Sequence, residues 1–312
     1  MDGETRDRSG FGGKTMNTIV FGGYTAQQLE EQYNARAAVP DCEKIFEEWG
    51  ARSADYRQQS ECELDVSYAS VDRGTLDLFL PQQSNAPVHM FIHGGYWRAM
   101  DKSYFSFPAK GIVDRGGMAA VVNYGLCPAV SIIEIVRQIR LACTWLWENC
   151  ARYGGNPDAI HISGHSAGGH LTAMMAATDW PSLSPYLPPG LIKSGIAVSG
   201  LFDLRPLLYI PLNEDIKLDD ESADLNSPVH LNPRTDIPFS IVVGGEESDE
   251  FRRQSYQFFE KWGERGAKIK YFELPNLNHF SIIDQMKTPG NPLTEIMLQH
   301  MDSAQRSEID LF

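Results

Sequence analysis

Two hydrophobic periods run along this chain and take turns. Residues Leu64–Ala69 and Thr75–Leu80 alternate apolar and polar side chains, the pattern of strands with one buried face. The Asp72, Arg73 and Gly74 between them predict an antiparallel hairpin. Further on the alternation gives way to short, nearly continuous apolar runs at Val88–His93, Met118–Tyr124, Ala159–Ser163, Ser194–Ser199, Phe239–Val243 and Ile269–Leu274. Runs of this kind belong to parallel strands buried on both faces.

A helical period separates these runs. Ile132, Ile135, Val136, Ile139, Cys143, Leu146 and Cys150 share one stripe, with Glu134, Arg137, Gln138 and Glu148 elsewhere, and Phe251, Ser255, Phe258, Phe259 and Trp262 form another. A first helix is predicted over Thr25–Arg36, capped by Thr25 and stopped ahead of Pro40. Strands alternating with helices require right-handed crossovers. The expected fold is therefore of the α/β class: a mostly parallel central sheet of about eight strands flanked by helices, with its site beyond the carboxyl ends of the strands.

Residues 1–23 are rich in Gly, Asp, Arg and Thr without an apolar period, and are expected to be a disordered leader. Residues 24–312 are expected to form one domain, with an insertion around 201–238, a stretch too long for a simple connection. The 42 % apolar content is enough for such a core. A net charge of -14 argues against nucleic acid and anionic membrane as partners. No apolar run is long enough to cross a bilayer, and the first residues contain no apolar signal segment. Cys42, Cys62, Cys127, Cys143 and Cys150 include no C-x-x-C pair. Cys143 and Cys150 would stand ~10 Å apart on one helix, too far to bridge. Reduced thiols and a cytoplasmic location are expected. A homodimer is left open.

The chemistry centres on Gly164-His165-Ser166-Ala167-Gly168, which follows the strand at Ala159–Ser163 and precedes a small-residue helix. This is the context of a nucleophile elbow, where a serine sits on a tight strand-to-helix turn, and it narrows the expected fold to the α/β-hydrolase fold. The segment His93-Gly94-Gly95-Tyr96-Trp97 follows an earlier strand, where this fold presents a second oxyanion donor. A backbone N–H of Gly94 or Gly95 would join that of Ala167. His279, just past the last predicted strand, completes the chain order of nucleophile, acid and base. The pairs His89/His93 and His161/His165 have a spacing that invites a metal, but no Cys or carboxylate cluster joins them; no metal and no cofactor are expected. Acidic residues between Asp215 and Asp224 lack the spacing of a calcium loop.

Four carboxylates compete for the role of acid: Glu246, Glu247, Asp249 and Glu250. Ser248 is a good N-cap, so Asp249 and Glu250 fall in a first helical turn, where the helix dipole already explains a carboxylate. Glu246 and Glu247 remain.

The segments His-Gly-Gly-Tyr-Trp at 93–97, Gly-His-Ser-Ala-Gly-Gly-His at 164–170, Ser-Gly-Leu-Phe-Asp-Leu at 199–204 and Glu-Phe-Arg-Arg-Gln-Ser at 250–255 together resemble the kynurenine formamidase (arylformamidase) family. The likeness extends from about Leu29 to Met286. It implies a serine hydrolase that cleaves an N-formyl aryl amide and releases formate, with aryl-ester activity as a common companion. It also implies that Ser166 and His279 are catalytic, that Gly94, Gly95 and Ala167 build the oxyanion hole, and that the acid is Glu247, where the family often has Asp. A small aromatic amide or ester is then the expected partner. Tyr96 and Trp97 are the expected substrate-binding aromatics, with Tyr104, Phe105, Tyr209 and Phe280 as weaker candidates. Tyr33, Asn34 and Arg36 resemble an N-terminal element of the family. Two rivals remain: a broad carboxylesterase using the same residues, and a non-catalytic binding protein, which should have lost a member of the triad.

Overall fold

The computed structural model describes residues 18–233, 237–288 and 290–309. It opens on a two-stranded antiparallel ribbon, β1 (Ile19–Phe21) and β2 (Tyr24–Thr25), turned by Gly22 and Gly23. Val20 and Phe21 pack half-buried against the main core. This corrects the expected boundary of the leader: Ile19–Phe21 belong to the fold, while residues 1–17 lie outside the described residues. Thr25 caps α1 (Ala26–Tyr33) in a reciprocal box with Gln28. The single helix expected to Arg36 is two helices. Asn34 interrupts it by accepting from the Ala37 N–H, which makes it the cap of α2 (Ala35–Ala38). The long α3 (Cys42–Gln59) follows.

The main sheet has eight strands in the order β10-β9-β8-β7-β5-β6-β4-β3. The hairpin expected from alternation is β3 (Cys62–Ser67) and β4 (Thr75–Phe79). Strand β4 runs against the other seven. After β5 (Ala86–Ile92) come α4 (Ala109–Val113), β6 (Met118–Val122), α5 (Ile132–Asn149), β7 (Gly155–His165) and α6 (Ala167–Ala176). The chain continues through α7 (Trp180–Leu183), β8 (Ser194–Val198), α8 (Asn213–Ile216), α9 (Asp220–Leu225), β9 (Phe239–Gly244), α10 (Asp249–Glu264), β10 (Ile269–Leu274) and α11 (Pro292–Ile309).

The apolar runs of β5 to β9 are buried because helices cover both faces, whereas β10, at the edge of the sheet, is only partly buried, which corrects the expectation of a doubly buried run at Ile269–Leu274. The α5 stripe of Ile132, Ile135, Val136, Ile139, Cys143 and Leu146 is buried as its period predicts. Helix α10 buries Phe251, Phe258 and Trp262, with Phe258 stacked 4.2 Å from Phe202. Each such ring contributes about 1.5–3 kcal/mol by leaving water, so α10 holds its place beside the β9 turn. Between β8 and β9 the chain carries α8 and α9, and Asp219 is occupied as the cap of α9. Among the described residues no helix is long and apolar enough to cross a membrane.

Candidate active site

Strand β7 ends at His165, and the next residue, Ser166, has φ 56 and ψ -118. A serine in that region costs about 1–3 kcal/mol and persists only where its neighbours hold it. The flanking glycines are what make the turn feasible. A Cβ on Gly168 would lie 1.9 Å from the Ile92 carbonyl oxygen, and one on Gly164 would lie 2.2 Å from that of Gly168. The Ser166 N–H donates to the Val198 carbonyl at 2.8 Å, which ties the elbow to β8. Ala167 is the first residue of α6, where a backbone N–H has no intrahelical acceptor and carries the positive end of the helix dipole.

On the neighbouring strand, β5 delivers Gly94 and Gly95 to the same place. Gly95 has φ 106, and a Cβ there would meet the Ala99 carbonyl oxygen at 2.2 Å. The loop after β10 brings in His279, 5 % exposed. Its Nδ1–H donates to Oε2 of Glu247 at 2.7 Å. The other oxygen of Glu247 accepts from Ser199 Oγ at 2.6 Å and from the Gly244 N–H at 2.7 Å. His165 Nε2–H donates to the His279 carbonyl at 2.7 Å, fixing the loop. Burial, and then the proximity of His279, keep the His165 imidazole well below its ordinary range, so this donor stays neutral. With Nδ1 taken by Glu247, His279 has Nε2 left for proton transfer.

Ser166, His279, Gly94 and Gly95 all line one cavity of about 610 Å³. Phe46, Trp49, Phe105 and Phe280 supply an aromatic wall. The rim is charged, with Glu30 and Arg36 from the N-terminal helices, Arg98 from the glycine loop, and Glu214 and Asp215 from the β8–β9 connection. Arg98 and Asp215 form an ion pair across it.

Of the four competing carboxylates, only Glu247 meets His279. Glu246 and Asp249 are exposed, and Asp249 pairs with Arg252. Ser248 caps α10 as its sequence predicts. Glu250 is 2 % exposed and bound to Tyr33 and Arg253, so more than the helix dipole explains it.

The relatives of this chain are hydrolases. A kynurenine formamidase from Salmo salar is 32 % identical over 246 residues, covering 76 % of this chain and 81 % of that protein. The chain belongs to the kynurenine formamidase family. A solved structure of a putative thioesterase from Silicibacter sp. TM1040 is 34 % identical with a TM-score of 0.76, covering 86 % of this chain and 98 % of that one. Esterase B from Lactobacillus rhamnosis, at 18 % identity and TM-score 0.69, covers 88 % of this chain and 97 % of that one, and shares the α/β-hydrolase fold. A family model described as BD-FAE matches residues 76–185.

Within this family member one expected substrate aromatic is misplaced. Trp97 is fully buried and does not line the cavity; its Nε1–H donates to Nδ1 of His170 at 3.2 Å, and its ring lies in the core. An indole beside a glycine turn reads the same in sequence whether it faces ligand or core. Tyr96 does line the cavity, but its hydroxyl is committed to the Tyr33 carbonyl. Phe105 and Phe280 line it as well; Tyr104 and Tyr209 do not. Sequence reasoning missed Ser199, which reaches Glu247, and Phe251, whose ring stands 4.5 Å from that of His279. Both lie inside the quoted motifs at 199–204 and 250–255, which was the available signal.

Proposed function

We propose that this family member hydrolyses N-formyl aryl amides, releasing formate and an aryl amine, through an acyl-enzyme on Ser166. The observation that carries the reading is the buried Glu247–His279 pair opening on the same cavity as Ser166 and the Gly94–Gly95 loop. Ser166 Oγ adds to the formyl carbon while its proton passes to His279 Nε2, and the carbonyl oxygen takes the negative charge. The N–H groups of Gly94 or Gly95 and of Ala167 stabilise that oxyanion. Glu247 orients the imidazole and stabilises its cation. The C–N bond then breaks, the departing nitrogen takes the proton from Nε2, and a water activated by the freed imidazole hydrolyses the formyl ester to formate.

Formyl is the smallest acyl group, so specificity falls to the leaving group, which the aromatic wall of Phe46, Trp49, Phe105 and Phe280 suits. The test is a comparison of kcat/KM for an N-formyl aryl amide, its N-acetyl counterpart and a short p-nitrophenyl ester. A site that excludes one methyl favours the formyl amide by roughly 10- to 200-fold. Equal rates on the two amides, with the ester faster than both, would turn the assignment to a broad carboxylesterase. That second reading draws on the 34 % identity to a putative thioesterase, because a triad does not by itself choose the acyl group. A non-catalytic binding role fits less well, since no triad position is lost. We propose the cytoplasm as its compartment, supported by five free thiols, four of them buried.

A further inference from the structure

The loop that would hold the oxyanion is strained at three positions. Gly95 is followed by Tyr96 at φ 49, Trp97 at φ 55 and Met100 at φ 74, three side-chain-bearing residues in a region where each is disfavoured. Such a stretch survives only if its surroundings over-determine it. Most of its fastenings are plain. The Trp97 ring is bonded to His170, the Trp97 carbonyl accepts from the Cys127 N–H at 2.8 Å, and the Met100 carbonyl accepts from Arg73 at 2.9 Å. At the residue next to Gly95, the tie is a side chain: Tyr96 donates its hydroxyl to the Tyr33 carbonyl at 2.5 Å.

We infer that Tyr96 is a positioning residue that pins the oxyanion-hole loop to the carboxyl end of α1. The acceptor is suited to the task. Tyr33 is the last residue of α1, where carbonyls lack intrahelical donors and carry the negative end of the helix dipole. Tyr33 is itself an anchored post, 1 % exposed. Its own hydroxyl donates to Glu250 Oε2 at 2.7 Å and accepts from Gln254 Nε2 at 2.5 Å. Arg253 holds Glu250 with two bonds of 2.6 and 2.8 Å, and Gln254 Oε1 accepts from the N–H groups of Phe202 and Asp203. All three partners belong to α10, the helix that starts two residues after Glu247 and places Phe251 against His279. The Tyr96–Tyr33 bond therefore fixes the oxyanion donors relative to the acid–base pair, two parts of the site carried on opposite halves of the sheet. Burial also raises the Tyr96 phenol well above its usual range, so it remains a donor at any working pH.

This role rests on the serine mechanism proposed above, and the test separates the two. A fluorophosphonate probe reacts with an activated serine by forming the O–P bond and expelling fluoride, while the serine proton goes to the base and the phosphoryl oxygen seats in the oxyanion hole. Its labelling rate thus reports on both the nucleophile and the hole without any substrate. Tyr96→Phe removes one hydroxyl and is expected to slow labelling of Ser166 and to lower kcat by about tenfold, the worth of one buried hydrogen bond. KM should move by less than about twofold. Tyr33→Phe keeps the carbonyl but loosens its post, so it should shift the same readouts in the same direction, and the double variant should be no slower than the worse single one. If Tyr96→Phe does not fold, Tyr33→Phe carries the test alone. Wild-type protein labelled at Ser166 with a folded variant labelled equally fast would overturn the positioning role. So would a loss confined to KM. Wild-type protein that is not labelled at Ser166 would overturn the mechanism instead.

Discussion

His279 and Glu247 meet through a single 2.7 Å bond from Nδ1 to Oε2, with side chains only 6 % and 0 % exposed. Because Oε1 of the same carboxylate is already occupied by Ser199 and by the Gly244 N–H, its orientation is set before His279 is considered. That is the arrangement in which a carboxylate selects an imidazole tautomer rather than merely neutralising it.

The first prediction follows from that orientation. In Glu247→Gln the amide oxygen can satisfy Ser199 and Gly244, which aims the amide N–H₂ at Nδ1 of His279 and forces the wrong tautomer. We expect kcat to fall by about 10³- to 10⁴-fold with the protein still folded. Glu246→Gln and Asp249→Asn, both at exposed positions, should stay within about twofold of wild type. Steady-state rates on one substrate decide it, and a crippled Asp249→Asn beside an active Glu247→Gln would move the acid elsewhere.

Ser166→Ala should remove turnover, by about 10⁴-fold or more in kcat, while leaving the thermal midpoint near that of wild type. Alanine keeps the Cβ that already occupies the strained turn, and the bond that ties the elbow to β8 comes from the backbone N–H of residue 166 rather than its hydroxyl. A variant that hydrolyses at an undiminished rate would end the serine mechanism, and one that unfolds would show that Oγ has a structural task.

What could be read from the chain was what lies close together in it. The elbow is one contiguous pentapeptide, the strands β5 to β10 announce themselves by apolar runs, and the α5 stripe needs only its own period. The site's supports were not legible, because they join residues far apart. Ser199 reaches Glu247 across 48 positions, and Tyr33 reaches Glu250 across 217. The inward turn of Trp97 depends on His170, 73 positions away. Ile19–Phe21 show no signal for another reason: three residues before a Gly-Gly turn are too few to show a period, and the partial burial of Val20 and Phe21 comes from the core they lean on, while Ile19 stays exposed.

The last prediction concerns acid stability. Burial pushes His89 and His161 down to about 3, and His93, His170 and His300 down to about 4. All five are buried, so protonating them in place would strand a charge away from water. In the unfolded chain an imidazole titrates near an ordinary value of about 6.5. Between about 6.5 and 4 the unfolded state therefore binds protons that the folded state refuses. Stability is fully present above that window and falls as pH drops through it. At pH 5 each group costs on the order of 1–2 kcal/mol, and five together approach the roughly 5–15 kcal/mol that holds a typical domain. Denaturant melts at pH 7.5, 6 and 5 should show a loss of about 4 kcal/mol across the first step and a steeper one of about 6 kcal/mol across the second, with acid unfolding complete near pH 4. His165, held well below its ordinary range by burial and then by His279, adds a sixth such group, so the slope near pH 5 should correspond to about six protons taken up on unfolding, beyond those bound by carboxylates. Equal stability at pH 7.5 and pH 5 would mean that these imidazoles accept protons inside the fold. The pairs His89–Ser163 at 2.8 Å and His161–Ser194 at 2.7 Å would be the first places to look for the water that lets them.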